Sequence, residues 1–369
     1  MKVTQIKSYS VRGESGRGYF IVRVDTDAGH YGLGEIGIRG WGVAITHAIE
    51  HLAELVIGAD PWETERLWQE MFRSGFFPAD TVYSCAISGI DIALWDIFGK
   101  VTGQPISRLL GGRYRESIKP YGSMLMTDTP EMVEQLQAAM ARGFRAFKIG
   151  WGPFGRKDRK TDEAIVKAAR DAIGPDIELM VDAGGSDAFW PHGYKWALNT
   201  SKMLADYDVV WFEEALRPDD IAGYVKLREH SPVPISSCEV LTRRQSFIEW
   251  IERGAVDYIQ PDVTKVGGLS EQHRIGQYAD DHSIMMVPHG WNTAVGLAAD
   301  LQLVAAAANA RWVEYITPAP YIEDLFAEPL TMDDNGMLTI PDRPGLGFEW
   351  NPDGIARHTG GMTLTGTAK

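Results

Sequence analysis

The chain has 369 residues, of which 44% are hydrophobic and 23% are charged, and its formal net charge is −14. This composition is typical of a folded protein with a large core, and the length favours two domains. The negative net charge argues against broad electrostatic binding of nucleic acid or anionic lipid. It does not exclude a small anionic substrate, which responds to local charge.

Cysteine usage and the N-terminus indicate the cellular compartment. The sequence contains only two cysteines, Cys85 and Cys238, and its first residues have no apolar core of signal-peptide length. We therefore expect a protein of the reducing cytoplasm. Because no run approaches about 20 apolar residues, we expect no membrane span.

The first part of the chain, residues 1–115, predicts an α+β domain. The run "YFIVRVDTDAGHYGLGEI" alternates as two antiparallel strands that turn at Asp27 to Gly29. Helical patterns follow from Val43 to about Lys100. A sheet covered by helices is the simplest arrangement for these elements.

Beyond this region, short β-rich runs alternate with amphipathic segments that end on glycine, as helices do. Eight such alternations in about 200 residues match the size of a (β/α)₈ barrel. A doubly wound open sheet is the rival, but its G-x-G-x-x-G turn after a first strand is missing. The eight runs are "KPYGSM", "AFKIG", "IELMVD", "VVWFEE", "VPISSCE", "VDYIQPD", "IMMVPH" and "RWVEYI".

Polar residues stand at the ends of these runs, and the chemistry of a barrel takes place at the carboxyl ends of its strands. A single acid at such a position is more often a helix cap or a solvated turn residue. Three consecutive strands that end in carboxylates are harder to explain in that way. In chain order the polar residues are Lys148, Asp182, Glu213, Glu239, Asp262, His289 and, within the eighth run, Glu314.

Three of these residues, Asp182, Glu213 and Glu239, are carboxylates on successive strands. Like charges that converge on a barrel mouth repel one another unless a cation neutralises them. Three carboxylates with open coordination positions suit Mg²⁺, which prefers oxygen ligands and keeps places for water or substrate. We therefore predict that these three residues bind Mg²⁺.

Five blocks of the sequence resemble the mandelate racemase subgroup of the enolase superfamily, and the resemblance extends over almost the whole chain. The resemblance implies a capping domain of residues 1–115, completed by about residues 340–369, and a modified (β/α)₇β barrel of the TIM type over residues 116–339. It also implies one Mg²⁺ per active site and a homo-oligomer. The blocks are "SGIDIALWDIFGKVTGQPISRLLGG", "MVDAGG", "WFEEAL", "QPDVTKVGGLSE" and "PDRPGLGFEW".

The resemblance also implies catalytic roles. The shared first step of the family removes the proton alpha to a carboxylate and gives an enediolate that is held by the metal. His289 resembles the histidine base, Asp262 resembles the aspartate that hydrogen-bonds it, and Glu314 resembles an acid that contacts the substrate carboxylate. A solvated or salt-bridged role for Glu314 is nearly as compatible with the sequence.

The second strand departs from the family pattern. Members commonly end it with Lys-x-Lys, whereas this chain has Lys148, Ile149 and Gly150. The position of the second base therefore has no side chain, and we expect Lys148 to neutralise the acidic cluster rather than to act as a base. A histidine that first removes a proton and then returns it to a leaving hydroxide is the economical mechanism.

This mechanism predicts a dehydratase that converts an acid sugar, an aldonate or aldarate, into a 2-keto-3-deoxy acid, with R configuration at C2 by family precedent. A cycloisomerase, racemase or epimerase on the same scaffold is the alternative, and a non-catalytic binding protein is a remote one. For the substrate pocket we consider Arg17 in a family lid segment, Trp151 as an apolar wall, and Trp291. Arg17 is equally consistent with an ordinary hairpin tip.

Overall fold

The fold is that of a computed structural model, which describes residues 1–12, 18–38, 40–127 and 129–367. Its N-terminal region forms an antiparallel sheet with helices packed on it. Its elements are β1 (Val3–Arg12), β2 (Gly18–Thr26), β3 (Tyr31–Ile36), α1 (Gly42–Val56), α2 (Thr64–Phe72), α3 (Thr81–Thr102), the short α4 (Ile106–Leu109) and, from the far end of the chain, β13 (Thr359–Thr367). The strand order is β13-β1-β2-β3, so the C-terminal strand forms one edge of the sheet.

Strand β3 packs on helix α3 through direct contact between backbones. A Cβ atom added at Gly32 would lie 1.9 Å from the carbonyl oxygen of Ala93, and one at Gly34 would lie 1.9 Å from that of Gly89. Glycine is therefore required on this face of β3. The contact fixes the end of β3, which points towards the barrel described below.

Helix α3 is the central helix of the cap. Asp80 accepts a hydrogen bond from the backbone N–H of Thr81 at its start, and Gly103 ends it in the left-handed conformation with φ 67°. The helix is long and apolar enough to cross a membrane, but 78% of its most apolar window is buried inside the protein. Its hydrophobicity is accounted for by the core that it shares with β2, β3 and α1.

The second region is a barrel of eight parallel strands joined by helices. Each strand pairs with the next in chain order from β4 to β10, β11 pairs back with β4, and a bridge between Met286 and Ala310 closes the remaining gap. The elements are β4 (Ser117–Leu125), α5 (Thr129–Ala141), β5 (Ala146–Gly150), α6 (Arg159–Ile173), β6 (Glu178–Asp182), α7 (Tyr194–Ala205), β7 (Val209–Glu213), α8 (Ile221–His230), β8 (Ile235–Ser237), α9 (Arg243–Glu252), β9 (Tyr258–Ile259), α10 (Gly268–Asp281), β10 (Met285–Met286), α11 (Ala294–Ala306) and β11 (Trp312–Ile316).

This order of elements is (β/α)₇β, so the predicted capped barrel of the TIM type is confirmed and the open sheet is excluded. After β11 the chain continues through α12 (Pro320–Glu323), β12 (Leu338–Thr339) and α13 (Pro352–His358). Strand β12 pairs with β4 of the barrel, and β13 then pairs with β1 of the cap. The C-terminal segment thereby connects both regions.

We expect Gly34→Ala to destabilise the protein by about 1–3 kcal/mol, because the new methyl group must displace the α3 backbone. Gly75→Ala is the matched control, since its nearest neighbour would be an ordinary contact at 3.7 Å in a loop of the same region. Urea unfolding of both variants measures the difference. An unchanged midpoint for Gly34→Ala would show that β3 and α3 are not packed as described.

Candidate active site

The seven polar residues predicted at strand ends converge at one end of the barrel, and all of them are buried. Parallel strands place their carboxyl ends together, so residues far apart in sequence become neighbours. Their exposed fractions are 3% for Lys148, 4% for Asp182, 0% for Glu213, 7% for Glu239, 0% for Asp262, 5% for His289 and 1% for Glu314.

Three buried carboxylates form a compact cluster, which we call the acidic triad: Asp182, Glu213 and Glu239. One oxygen from each lies within 4.8 Å of the others, close enough for all three to ligate one metal ion. Burial raises the pKa of Asp182 well above its usual range, and the charge of Glu213 raises it further. A cation placed among these oxygens would relieve this repulsion.

Hydrogen bonds fix the orientation of Glu213. Trp211 lies two residues earlier on the same face of β7, and its Nε1–H donates to Oε2 at 2.8 Å. The Nε2–H of Gln260 donates to the same oxygen at 2.7 Å, and Lys148 Nζ donates to Oε1 at 2.5 Å. Both carboxylate oxygens are thus held in place before any ligand arrives.

Glu214 adds a further carboxylate beside the acidic triad. Strand alternation would point it away from Glu213, but β7 ends at Glu213 and Glu214 has φ 46°. Its carboxylate accepts a hydrogen bond from the Ser186 hydroxyl at 2.7 Å. Burial raises the pKa of Glu214 well above its usual range, and the charges of Glu239 and Asp182 add to the effect.

Lys148 lies between two carboxylates. Its Nζ is 2.5 Å from Glu213 Oε1 and 3.0 Å from Glu314 Oε1. Burial by itself lowers the pKa of Lys148, but the charges of Glu213 and Glu314 outweigh it and hold the pKa well above its usual value. A protonated lysine in two ion pairs supplies positive charge and has no lone pair with which to remove a proton.

Gly150 lies directly against the acidic triad. A Cβ atom at this position would be 2.9 Å from Asp182 Cβ and 3.1 Å from Asp182 Oδ2. Any side chain, and a lysine above all, would have to displace a carboxylate of the triad. The absence of a second lysine is therefore matched by the absence of space for one.

His289 and Asp262 form a hydrogen-bonded pair on the other side of the triad. His289 Nδ1 lies 2.7 Å from Asp262 Oδ2, and His289 Nε2 lies 3.3 Å from Glu239 Oε2. Burial alone would raise the pKa of Asp262, but the charge of Lys265 and the hydrogen bond of His289 lower it well below its usual range. The ionised Asp262 favours the tautomer that carries its proton on Nδ1, and Nε2 faces the triad.

Two further polar side chains, Thr264 and Asn292, hold Asp262, and the sequence suggested only Asn292, as a residue of the pocket wall. Thr264 donates to Asp262 Oδ1 through its backbone N–H at 2.8 Å and its hydroxyl at 2.5 Å, and Asn292 Nδ2 donates to the same oxygen at 3.2 Å. The spacing Asp-x-Thr is a signal that could have identified the first contact, because an aspartate often caps the N–H two residues later. Asn292 carries no such local signal.

Glu314 is ionised in this arrangement. Although burial raises its pKa, the charge of Lys148 lowers the value to about 2. Its Oε2 accepts a hydrogen bond from the backbone N–H of Gly290 at 2.7 Å. An ionised carboxylate can only accept hydrogen bonds, so Glu314 in this state can bind a substrate hydroxyl but cannot donate to a substrate carboxylate.

The residues predicted to bind substrate are less tightly connected to the acidic triad than the catalytic residues are. Trp151 follows β5 with φ 59°, is half-buried, and donates its backbone N–H to the Asp182 carbonyl at 3.1 Å. Trp291 is half-buried next to Asn292. Arg17 lies outside the described residues. Arg156 binds the carbonyl of Phe154 at 2.8 Å and pairs with Asp187 at 3.1 Å, so it holds the loop after β5 together.

We expect Lys148→Met to destabilise the metal-free protein by about 3–5 kcal/mol, because it leaves two buried carboxylates without their cation. The matched control is Lys167→Met. Lys167 lies 2.5 Å from Asp171, as Lys148 does from Glu213, but both members of the Lys167–Asp171 pair are exposed. Lys167→Met should unfold at the same urea concentration as the native protein. Equal destabilisation of the two variants in the presence of EDTA would contradict the role given to Lys148.

Known proteins match the chain in both of its regions. Residues 5–111 match the family described as mandelate racemase / muconate lactonizing enzyme, N-terminal domain. Residues 131–354 match the family described as enolase C-terminal domain-like. The two matches together account for the cap and the barrel.

Individual relatives agree with this. A D-galactarolactone cycloisomerase of Agrobacterium fabrum is 36% identical over 370 residues, which cover 95% of this chain and 94% of that protein. A D-galactonate dehydratase of Variovorax paradoxus is 30% identical, with 96% and 94% covered. The crystal structure of the 3,6-anhydro-D-galactonate cycloisomerase from Zobellia galactanivorans has a TM-score of 0.89 at 32% identity and covers 98% of this chain and 100% of that one. The predicted resemblance is confirmed: the chain belongs to the mandelate racemase and muconate lactonizing enzyme family of the enolase superfamily.

Proposed function

We propose that the protein is a Mg²⁺-dependent acid-sugar dehydratase, a hydro-lyase that converts an aldonate or aldarate into a 2-keto-3-deoxy acid. The observation that carries the proposal is the asymmetry of the site. One side of the acidic triad holds a histidine whose Nε2 faces the triad, and the other side holds a lysine that is committed to two ion pairs, and a glycine. Proton transfer is thereby assigned to a single group.

The donor set fits Mg²⁺. Asp182, Glu213 and Glu239 offer three hard carboxylate oxygens in a buried cluster, and three protein ligands leave positions for substrate and water. When bound, Mg²⁺ supplies Lewis-acid stabilisation of the negative charge that develops on the substrate carboxylate. Nearby Lys148 adds a fixed positive charge to the same environment.

The first chemical step is removal of the C2 proton by His289 Nε2. The C–H bond breaks, its electron pair delocalises into the adjacent carboxylate, and the imidazole becomes a cation. Asp262 stabilises this cation through the 2.7 Å hydrogen bond to Nδ1 and keeps the ring oriented. Thr264 and Asn292 hold Asp262 in turn, so that the pair does not reorganise during the step.

The second step breaks the C3–O bond. The electron pair returns to form the C2–C3 double bond, and the imidazolium gives its proton to the leaving hydroxide, so that one water is released and the histidine is neutral again. The resulting enol tautomerises to the 2-keto-3-deoxy acid. Since one group handles both protons, the C2 proton and the C3 hydroxyl must leave from the same face.

The substrate assignment combines the site with the relatives. Curated relatives are named D-galactonate dehydratase and arabinonate dehydratase, which supports a small sugar-acid substrate. We assign the ionised Glu314 to a substrate hydroxyl, and Trp151 and Trp291 to the walls of the pocket. Arg17 is assigned to the distal end of the substrate. Assembly into a homo-oligomer and a cytoplasmic location remain part of the proposal, and light scattering tests the first.

A cycloisomerase is the second candidate, because the Agrobacterium fabrum relative and the Zobellia galactanivorans structure are both named as cycloisomerases. The same two steps apply if the oxygen on C3 belongs to a ring: its expulsion opens the ring and no water is lost. Mass spectrometry of the product distinguishes the two outcomes. A racemase or epimerase needs a base on each face of C2 and is disfavoured by Gly150. A non-catalytic protein would not require this complete set of groups.

We expect EDTA to abolish turnover and added Mg²⁺ to restore it. Asp182→Asn should lose Mg²⁺ binding in isothermal titration calorimetry, because one of three ligands becomes neutral. Asp96→Asn is the control, since Asp96 is an equally buried carboxylate of the cap that binds backbone N–H groups of Leu33 and Leu346. Full turnover after exhaustive chelation would refute the metal assignment.

We expect His289→Asn to reduce the rate of C2 proton exchange in D₂O by about 10⁴-fold or more, because one general acid/base group acts twice. Asparagine keeps a polar side chain but cannot accept the proton. Lys148→Met should be impaired by the loss of positive charge, yet it should retain measurable exchange. Proton NMR of the substrate follows both. Near-native exchange by His289→Asn together with an inactive Lys148→Met would identify the lysine as the base.

A further inference from the structure

Glu35 reaches from the cap into the barrel. It lies on β3, is completely buried, and accepts three hydrogen bonds at the start of α11. The backbone N–H of Thr293 donates to Oε1 at 2.8 Å, the Thr293 hydroxyl donates to Oε2 at 2.7 Å, and the backbone N–H of Gly296 donates to Oε2 at 2.8 Å. A carboxylate from one domain thus caps a helix of the other.

A second contact lies two residues further along the same strand end. The backbone N–H of Gly37 donates to the carbonyl of Thr264 at 3.0 Å. A Cβ atom at Gly37 would be 2.0 Å from Thr264 Oγ1. The cap backbone is therefore pressed directly against the side chain that binds Asp262.

The Gly37 contact ends on a residue that holds the catalytic pair, and the Glu35 contact ends on Thr293, the neighbour in sequence of another such residue. Thr264 donates its hydroxyl to Asp262 Oδ1 at 2.5 Å. Asn292, which precedes Thr293, donates to the same oxygen at 3.2 Å. Thr264 Oγ1 also lies 3.1 Å from Asn292 Oδ1. The other oxygen of Asp262 is hydrogen-bonded to His289. One path from β3 to the imidazole therefore passes through Thr293 and the adjacent Asn292, and the other passes through Thr264.

We propose that Glu35 and Gly37 are positioning residues for proton transfer, through which the docked cap holds Asp262 and His289 in their reactive orientation. Their effect passes through Thr293 and Asn292 on one side and through Thr264 on the other. This inference rests on the proposed function, since it assigns a role in the step performed by His289. It differs from a purely structural role, in which Glu35 would only add stability at a helix start.

A matched control exists in the same interface. Asp91 on α3 is a buried carboxylate of the cap that accepts hydrogen bonds from the backbone N–H of Ser270 at 3.0 Å and its hydroxyl at 2.6 Å, near the start of α10. Burial raises the pKa of both Asp91 and Glu35 to about 7. Both residues bind the first turn of a barrel helix from the cap, but of the two, Glu35 alone contacts the neighbour in sequence of Asn292, which binds Asp262.

The experiment compares Glu35→Gln with Asp91→Asn by urea unfolding, by steady-state kinetics and by C2 exchange in D₂O. Both variants should lose stability to a similar extent. Glu35→Gln should lower kcat and the exchange rate by about 10- to 100-fold, as loss of an outer partner of a functional histidine does, with KM changed by less than about two-fold. Asp91→Asn should keep native kcat. Gly37→Ala, which displaces Thr264 without touching Glu35, should reproduce the loss in kcat.

Equal loss of kcat in Glu35→Gln and Asp91→Asn, or native kcat in Glu35→Gln, would overturn the inference while the proposed function stands. If the native protein exchanges no aldonate or aldarate proton, the proposed function itself has failed. The positioning role is then read without activity, from the low-field proton NMR resonance of the His289 Nδ1–H. That resonance should be lost in Glu35→Gln and kept in Asp91→Asn, and its retention in both would refute the role of Glu35.

Discussion

The concentration of buried negative charge at the mouth of the barrel is the constraint on which the rest of the site depends. Asp182, Glu213 and Glu239 stand together, and Glu214 and Glu314 lie beside them. Within this group Lys148 forms ion pairs with Glu213 and Glu314. Such a cluster is tolerable in a protein interior only when cations compensate it or when some of its carboxyls take up protons, as the raised pKa values of Asp182 and Glu214 indicate. The need for compensation accounts both for the fixed charge of Lys148 and for the affinity that we assign to Mg²⁺.

The same cluster makes the two sides of the site unequal. On one side Gly150 has no room for a side chain because Asp182 occupies the space, and Lys148 is committed to its ion pairs. On the other side, Asp262 is held by its own partners and orients His289 so that Nε2 faces the triad. A reaction in which one histidine transfers both protons, such as dehydration, is compatible with this arrangement. A reaction that needs a base on each face of C2, such as racemisation, is not. The contacts of Glu35 and Gly37 show that the second side is also supported by the cap.

Much of this could be predicted from the sequence, for a definite physical reason. Parallel strands bring their carboxyl ends together, so a series of polar strand ends such as Asp182, Glu213 and His289 predicts one site without any knowledge of distances. Contacts between domains have no such periodic signal. Glu35 and Thr293 are separated by 258 positions, and no local pattern relates them. Strand alternation gave the wrong direction for the Glu214 side chain, because the backbone leaves the extended conformation at that residue.

One-sided proton transfer is the central claim, and pairs of acid sugars that differ only in configuration at C2 test it most directly. Each member of a pair is incubated with the native protein and Mg²⁺ in D₂O, and the C2 proton is followed by NMR. The account predicts that only one configuration exchanges its proton and that the two epimers never interconvert. Exchange in both configurations, or conversion of one epimer into the other, would require a base on the Lys148 side and would contradict it.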